Sequence, residues 1–448
     1  MGALFVAIIL RVVPMAIFPQ LDCVRDECIY RSMATKIIDG QGLTVSSKGW
    51  LTAPGFPYLL VLMKTTTTAF YAVKWVNIVL SLTSIVTLFE ITKRVANLKA
   101  ARIAAWMFAL HPTLAFFTQT MWIETVYIFF LLNAVLAVLW ARDKPWQYGA
   151  LAGVMLGSCV LFRGVATYLP PIFLVAVIWP DAGWTNASAL FDSVKRRWKH
   201  GAALMVAMVL LVAPYSLYSS PKHGGFMVSD ATVGHVMFLG NNDYPPLTFD
   251  YGIGMLTGPL YAKYLRTGRL PCPRNQPPVV SSKCDVGKAL TWIGDNPDKF
   301  LNRVPVRLAQ LLNPNSFMTR HIRWGYWTGY PWLLKEITAV YIAGTTLFVV
   351  LVGTLGVWAR GRGPYGFIAV GTVLYTCSTI ALMYGMTRFR LPLEPLWIVY
   401  AAIVLSDPKA TLGALSKSTP RAVGALLTIP ALTALMLWYL PTGFPRFW

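Results

Sequence analysis

Apolar runs close to the length that an α-helix needs to cross a bilayer, about 20 residues, recur along this whole chain and constrain it more than any other feature. They lie at 2–19, 72–92, 101–120, 122–141, 147–162, 164–180, 201–218, 333–358, 364–384, 391–406 and 421–440. With 56% hydrophobic and 13% charged residues, the chain has more apolar surface than a soluble globule of ordinary composition can hide. The predicted fold class is an all-α polytopic membrane protein with about eleven transmembrane helices. Several runs are short, which predicts tilt or burial among neighbours. Gly2 to Phe18 has no basic residue ahead of its apolar run and no small-residue cleavage site behind it, so it reads as a retained first span. Pro54 to Phe70 carries Lys64 and four consecutive threonines and reads as a re-entrant or interfacial helix.

Charge sets the orientation. Lys and Arg number 39 against 18 acidic residues, a net charge of +21. Such an excess suits nucleic acid or anionic lipid, and with this hydropathy membrane lipid is the expected partner and nucleic acid is not. The cations fall at every second short loop: Lys93, Arg94, Lys99 and Arg102; Arg142 and Lys144; Lys195, Arg196, Arg197 and Lys199; Arg360 and Arg362; Lys409, Lys417 and Arg421. Short cytoplasmic loops carry such excess. The segment from about Ser219 to Pro331 is also basic, but long loops translocate regardless of charge, so it is assigned to the outside. Three regions follow: an N-terminal transmembrane module over 1–218 with its first external loop at 20–71, an external region over 219–331, and C-terminal helices over 332–448. Pro245-Pro246, Pro271, Pro273 and Pro277-Pro278 predict turns and short helices in the external region rather than a large independent domain. Cys23 with Cys28, and Cys272 with Cys284, fall in loops assigned to the outside, where pairing is allowed and left open. Cys159 and Cys377 lie in apolar runs and read as inert core residues.

This topology brings ionisable groups to one side. Asp22, Arg25, Asp26 and Glu27 follow the first run, Glu124 opens the fourth, Arg163 lies between the fifth and sixth, and Arg388, Arg390 and Glu394 bracket the start of the tenth. Charges at the hydrocarbon boundary are costly, so they pair, line a wet cavity or bind substrate. An acid and arginine cluster is what sugar transfer from a lipid phosphate requires: one carboxylate to take the acceptor proton, and guanidinium groups to stabilise the leaving phosphate. Arg11 sits inside the first run, where it is expected to pair with a loop carboxylate or reach the same phosphate, structural pairing being favoured. The Trp and Tyr residues, numerous at predicted span ends, mostly read as interface anchors, with sugar stacking an alternative for Tyr30 and Trp50. No glycine loop of the nucleotide-binding kind follows a strand, which argues against a nucleotide-sugar donor or an ATP-driven pump. No His or Cys spacing resembles a zinc site.

Asp26-Glu27-Cys28-Ile29-Tyr30, Asp39-Gly40-Gln41-Gly42 and Ala53-Pro54-Gly55-Phe56-Pro57, in that order, resemble the opening module of the GT-C glycosyltransferases related to protein O-mannosyltransferases and aminoarabinose transferases. His111-Pro112 followed by Glu124, Leu161-Phe162-Arg163, Gly240-Asn241-Asn242, and Thr387-Arg388-Phe389-Arg390-Leu391-Pro392-Leu393 with Pro395 look like later landmarks of the same group, so the resemblance spans nearly the whole chain. It implies a GT-C bundle in a bacterial inner membrane with its site facing the periplasm. It also implies a polyprenyl-phosphate sugar donor, Asp26 as catalytic base, Glu27 orienting substrate or partner groups, and Glu124 as the second acidic residue. An acceptor hydroxyl on lipid, glycan or protein would receive the sugar. No cofactor is required by the sequence, and a divalent cation is left open. A lysine that often precedes the proline turn in the aminoarabinose branch is replaced here by Thr52-Ala53, so Lys48 or Arg388 would have to supply that phosphate contact.

The plainer readings are a solvated Asp26-Glu27 pair, headgroup anchoring by Arg163, Arg388 and Arg390, a helix cap at Glu124, and helix-end packing at His111. Two other functions stay in view. A transporter or flippase of lipid-linked sugars would place its charges near the midplane, often in inverted repeats, and none is visible. A polysaccharide polymerase or ligase would be expected to hold its base in a large external loop.

Overall fold

The computed structural model describes residues 1–18, 23–24, 26–44, 51–63, 69–181, 187–242, 272–273, 275–323 and 325–438, in which the regular elements are all helical. Lys48, Trp50, Asp22, Arg25 and Lys64 lie outside the described residues. The N-terminal region holds α1 (Gly2–Ile17), α2 (Asp26–Ile38), α3 (Gly55–Leu62), α4 (Ala69–Val95), α5 (Leu98–Leu110), α6 (Pro112–Phe116), α7 (Glu124–Ala141), α8 (Gln147–Phe162), α9 (Pro170–Val177) and α10 (Ala187–Lys222). The segment 219–331 contributes α11 (Val233–Gly240), α12 (Pro278–Asp295), α13 (Pro297–Leu312) and α14 (Phe317–Arg323). The C-terminal region holds α15 (Trp332–Arg360), α16 (Gly363–Leu382), a 3₁₀ turn (Thr387–Leu393), α17 (Glu394–Ser406), α18 (Pro408–Ser416) and α19 (Thr419–Leu437).

Seven of these segments are long and apolar enough to cross a membrane: α4, α7, α10, α15, α16, the 3₁₀ turn with α17, and α19. The chain is a multi-pass membrane protein. The run at 101–120 is a pair, bent by 58° where α5 meets α6. His111-Pro112 causes the break: proline has no N–H to continue the ladder, and His111 Nδ1 accepts the Leu114 N–H at the new N-terminus instead. The run at 164–180 does not form a span-length helix. A 3₁₀ segment (Gly164–Tyr168) meets Pro170-Pro171, which can start a helix but not sit inside one, so only the eight residues of α9 follow. α1 and α8 are apolar but shorter, and α3 is the short non-spanning helix expected after Pro54.

Burial separates centre from rim. The best span windows of α7 and Thr387–Ser406 are 78% and 83% buried, against 11% in α19, so the first two form the core and the last faces lipid. Small residues allow the tightest seams, as is usual where lipid tails remove a hydrophobic drive between helices. On α8, Gly149 and Gly153 recur four residues apart, and a Cβ there would lie 2.3 Å from His200 O and 2.1 Å from Leu204 O of α10. Both open disulfide pairings are present, Cys23–Cys28 and Cys272–Cys284. Cys159 is free and buried, and Cys377 is free and half-buried.

Candidate active site

The first turn of α2 is fixed by its own sequence. Glu27 Oε2 accepts the Val24 N–H at 2.8 Å while the Glu27 N–H donates to Val24 O at 3.2 Å, a reciprocal capping arrangement that satisfies donors at a helix start. The Cys23–Cys28 bridge closes over the same turn. Glu27 is wholly buried, and its Oε1 accepts the Met121 N–H and the Tyr326 O–H, each at 2.9 Å. Helical geometry turns successive residues by about 100°, so with Glu27 turned inward Asp26 faces a different partner.

That partner is Arg388 on the 3₁₀ turn. Its Nη1 donates to Asp26 Oδ2 at 2.8 Å, and its Nε lies 3.0 Å from Glu124 Oε1. Arg163 Nη1 lies 3.9 Å from the same Glu124 oxygen. The guanidinium of Arg388 sits 5.2 Å from the Trp122 ring and 5.6 Å from Phe317; that of Arg163 is 5.0 Å from Phe389 and 5.6 Å from Tyr127. These ring faces favour cations and hold both side chains on aromatic ledges. Exposure divides the carboxylates: 32% of the Asp26 side chain is open, and none of Glu124. Of the two carboxylates, Asp26 is therefore the one open to an incoming molecule, whereas Glu124 lies enclosed beside the arginines. Tyr30 and Tyr384 feel the charges of Arg388, Asp26 and Arg163, and burial raises both phenols, Tyr384 to about 12. Both rings stay neutral at physiological pH.

Four residues singled out from sequence thus meet: Asp26, Glu124, Arg163 and Arg388, with Tyr30 in their field and Glu27 anchoring the turn. Two do not. Arg11, fully buried, meets neither a loop carboxylate nor the cluster: Nε donates to Ser81 Oγ at 3.0 Å and Nη1 to the carbonyls of Ala7 and Ala109 at 3.1 and 3.2 Å. A hydroxyl and two backbone oxygens take its donors where a carboxylate was expected, and it pins α1 to α4 and α5. Arg390 likewise pairs outside the cluster. It is 1% exposed and binds Glu394 Oε1 at 2.9 Å and the carbonyls of Leu311 and Asn313 at 3.0 and 2.7 Å. Three residues per 3₁₀ turn send Arg388 and Arg390 to different sides. Glu394 then faces His111 Nε2 at 3.2 Å, which ties this turn to the α5–α6 bend. Lys48 is outside the described residues.

The landmark Gly240-Asn241-Asn242 has a mechanical part. Arg303 and Arg307 donate to the carbonyls of Gly240 and Asn242 and to Asn241 Oδ1, which staples the end of α11 to α13. Sequence reasoning missed Trp122, Tyr326, Phe317, Tyr384 and Phe389. Trp122 and Phe389 adjoin charged positions already singled out, Glu124 and Arg388, and that adjacency was the available signal. Tyr326 reaches Glu27 across 299 positions of sequence, with no local signal at all.

Comparison with known proteins follows this geometry. Residues 52–218 match the family described as dolichyl-phosphate-mannose-protein mannosyltransferase. The matched stretch includes Glu124 and Arg163 but stops short of Asp26 and Arg388. Among solved structures, the oligosaccharyltransferase of Archaeoglobus fulgidus in its apo form superposes over 98% of this chain with a TM-score of 0.52 at 14% identity. The chain has the GT-C fold. It spans 54% of the archaeal enzyme's length, so the shared part is the helical bundle that carries the cluster above. ArnT from Cupriavidus metallidurans bound to undecaprenyl phosphate aligns over 93% of this chain and 78% of its own, at 13% identity and a TM-score of 0.43. A search of curated proteins returned no sequence match. The fold expected from the motifs that begin at Asp26-Glu27 is the fold observed.

Proposed function

We propose that this protein is a glycosyltransferase that moves a sugar from a polyprenyl-phosphate donor to an acceptor hydroxyl on lipid, glycan or protein, with inversion, on the periplasmic side of a bacterial inner membrane. One observation carries the reading: Arg388 joins the half-exposed Asp26 to the buried Glu124 with Arg163 beside them. The acceptor oxygen attacks the anomeric carbon as Asp26 takes its proton; the carbon–oxygen bond to phosphate breaks, and the phosphate leaves with the electron pair. Arg388 and Arg163 are the cations that stabilise that charge, and the aromatic ledges beneath them restrict their motion, so little reorganisation is needed as charge develops. Apolar grooves between helices take the isoprenoid tail.

Asp26 and Glu124 are also the carboxylates that a divalent cation would need, but one guanidinium already occupies the space between them. In the proposed chemistry Arg388 supplies the positive charge at that position. The outward placement draws support from the two disulfides, one within the turn that carries Asp26, since such bonds persist in oxidising compartments. Gathering of the charges at helix ends, rather than at mid-span in paired repeats, favours transfer over transport.

Asp26→Asn in purified enzyme supplied with polyprenyl-phosphate sugar is expected to keep donor binding and lose turnover by about 10² to 10⁴, the usual worth of a general base. Turnover within a few-fold of the parent would remove Asp26 as the base.

A further inference from the structure

We propose that the Cys23–Cys28 disulfide is a positioning element of the transfer site, which holds Asp26 in register while closed and lowers the rate of transfer when opened, without unfolding the bundle. The inference rests on the reading of Asp26 as base. The two cysteines are five residues apart and bracket Val24, Asp26 and Glu27. Inside the bracket, Glu27 faces inward to Val24, Met121 and Tyr326, and Asp26 faces Arg388. The bridge thus encloses the one turn on which both acidic side chains depend. The bridge adds to the Glu27 and Asp26 contacts that hold the start of α2, a helix 13 residues long that buries Glu27, Tyr30, Met33 and Ala34. A helix of that length is marginal without tertiary support. Cys23 and Val24 pack only as half-buried residues at the edge of the main core, whose buried centre is α7 and α17, so loss of the bridge should relax a local turn and leave that centre packed.

The pair is also reachable. Cys23 and Cys28 are both half-buried, whereas Cys272 of the other bridge is wholly buried. A dithiol opens Cys23–Cys28 by thiolate attack on one sulfur, release of the other as thiolate, and closure of the reductant's second thiol onto the mixed disulfide. Two electrons and two protons pass to the protein, and the dithiol leaves as its cyclic disulfide.

The test uses the whole protein in lipid nanodiscs, oxidised, then treated with dithiothreitol, with alkylation and mass analysis to locate the opened bond. Cys272→Ser/Cys284→Ser serves as a background in which only one bridge can respond. With Cys23 and Cys28 alkylated, kcat should fall about 10- to 100-fold, the scale of an ångström-sized misplacement, with donor KM changed less than about twofold. The thermal midpoint of the bundle should hold, and reoxidation of an unalkylated sample should restore the rate. Cys23→Ser/Cys28→Ser should reproduce the reduced state. Unchanged kcat in the opened enzyme would overturn the inference, as would a loss that tracks bundle unfolding and resists reoxidation. Hydrogen exchange of the amides over 24–30 gives an arm independent of activity: it should quicken on reduction, and unaltered exchange also overturns the proposal. If the oxidised parent transfers no sugar, the proposed function fails, and this exchange arm still decides whether the bridge holds the turn.

Discussion

Arg388 carries two carboxylates at once because a guanidinium presents donors in a planar fork; an ammonium on a flexible stem is one point charge. Arg388→Lys should therefore leave either Asp26 or Glu124 poorly paired, and the expected outcome is a fall in kcat/KM of about 10- to 100-fold. Steady-state kinetics on the purified variant would check it, and parental kinetics would show that Arg388 only anchors its turn. At Glu27 the balance is different, since its charge is satisfied by three donors in a closed environment. Tyr326→Phe removes one, and a hydrogen bond to a charged group is worth about 1.5–3 kcal/mol, so a lowered thermal midpoint with reduced kcat is expected; an unchanged midpoint and rate would detach Tyr326 from the site. Asp26, Glu124, Arg163 and Arg388 were legible in sequence because each stands where an apolar run ends, and polar groups at such ends have few reasons to be there. Arg11 and Arg390 look the same in sequence. Glu394, four residues on, was a readable partner for Arg390, but Arg11 meets Ser81, and the remaining partners are backbone carbonyls of Ala7, Ala109, Leu311 and Asn313, which every residue has and no pattern of residue types announces.

Elements here are defined as much by where helices stop as by where they run. Hydropathy located the apolar runs, yet two of them break at proline: α5 bends into α6 at His111-Pro112, and Pro170-Pro171 reduces the next run to α9. Those breaks are useful, because the end of α6 leads through Gln119 and Met121 to the Glu27 anchor, and Arg163 caps the start of the 3₁₀ segment before α9. Proline marked both positions in sequence, but the direction of the bend depends on packing against α4 and α7, which a one-dimensional pattern does not hold. The α8–α10 seam belongs to this scale too. A Cβ on Gly153 would sit 2.1 Å from the Leu204 carbonyl, so Gly153→Val must push the helices apart. Overpacking of this kind costs about 1–3 kcal/mol; the expected result is a lower midpoint of thermal aggregation in detergent, and a variant as stable as the parent would mean that the seam is looser than these distances.

For the molecule as a whole, orientation decides which leaflet supplies the donor. The proposed topology assigns Arg196 and its neighbours to the cytoplasm, and the 219–331 segment with Cys272–Cys284 and the α2 turn with Cys23–Cys28 to the other side. The basic first part of α10 meets Asp181 through Arg196 and Arg197, with Arg142 joining from the end of α7, the opposite end of that helix from Glu124. Helix content followed from composition, but sidedness is a property of the chain in a membrane, and two sets of loops with basic residues on both sides are separated only by the length of the loop that translocates. Single cysteines test it cleanly, because Cys159 is buried, Cys377 is half-buried and the other four are paired. Arg196→Cys in intact spheroplasts should resist an impermeant maleimide until the membrane is opened, and Lys288→Cys, exposed on α12, should react at once. Reversed labelling would move the carboxylates and arginines to the cytoplasmic leaflet, where a periplasmic donor would not reach them and the acceptor would have to be sought inside the cell.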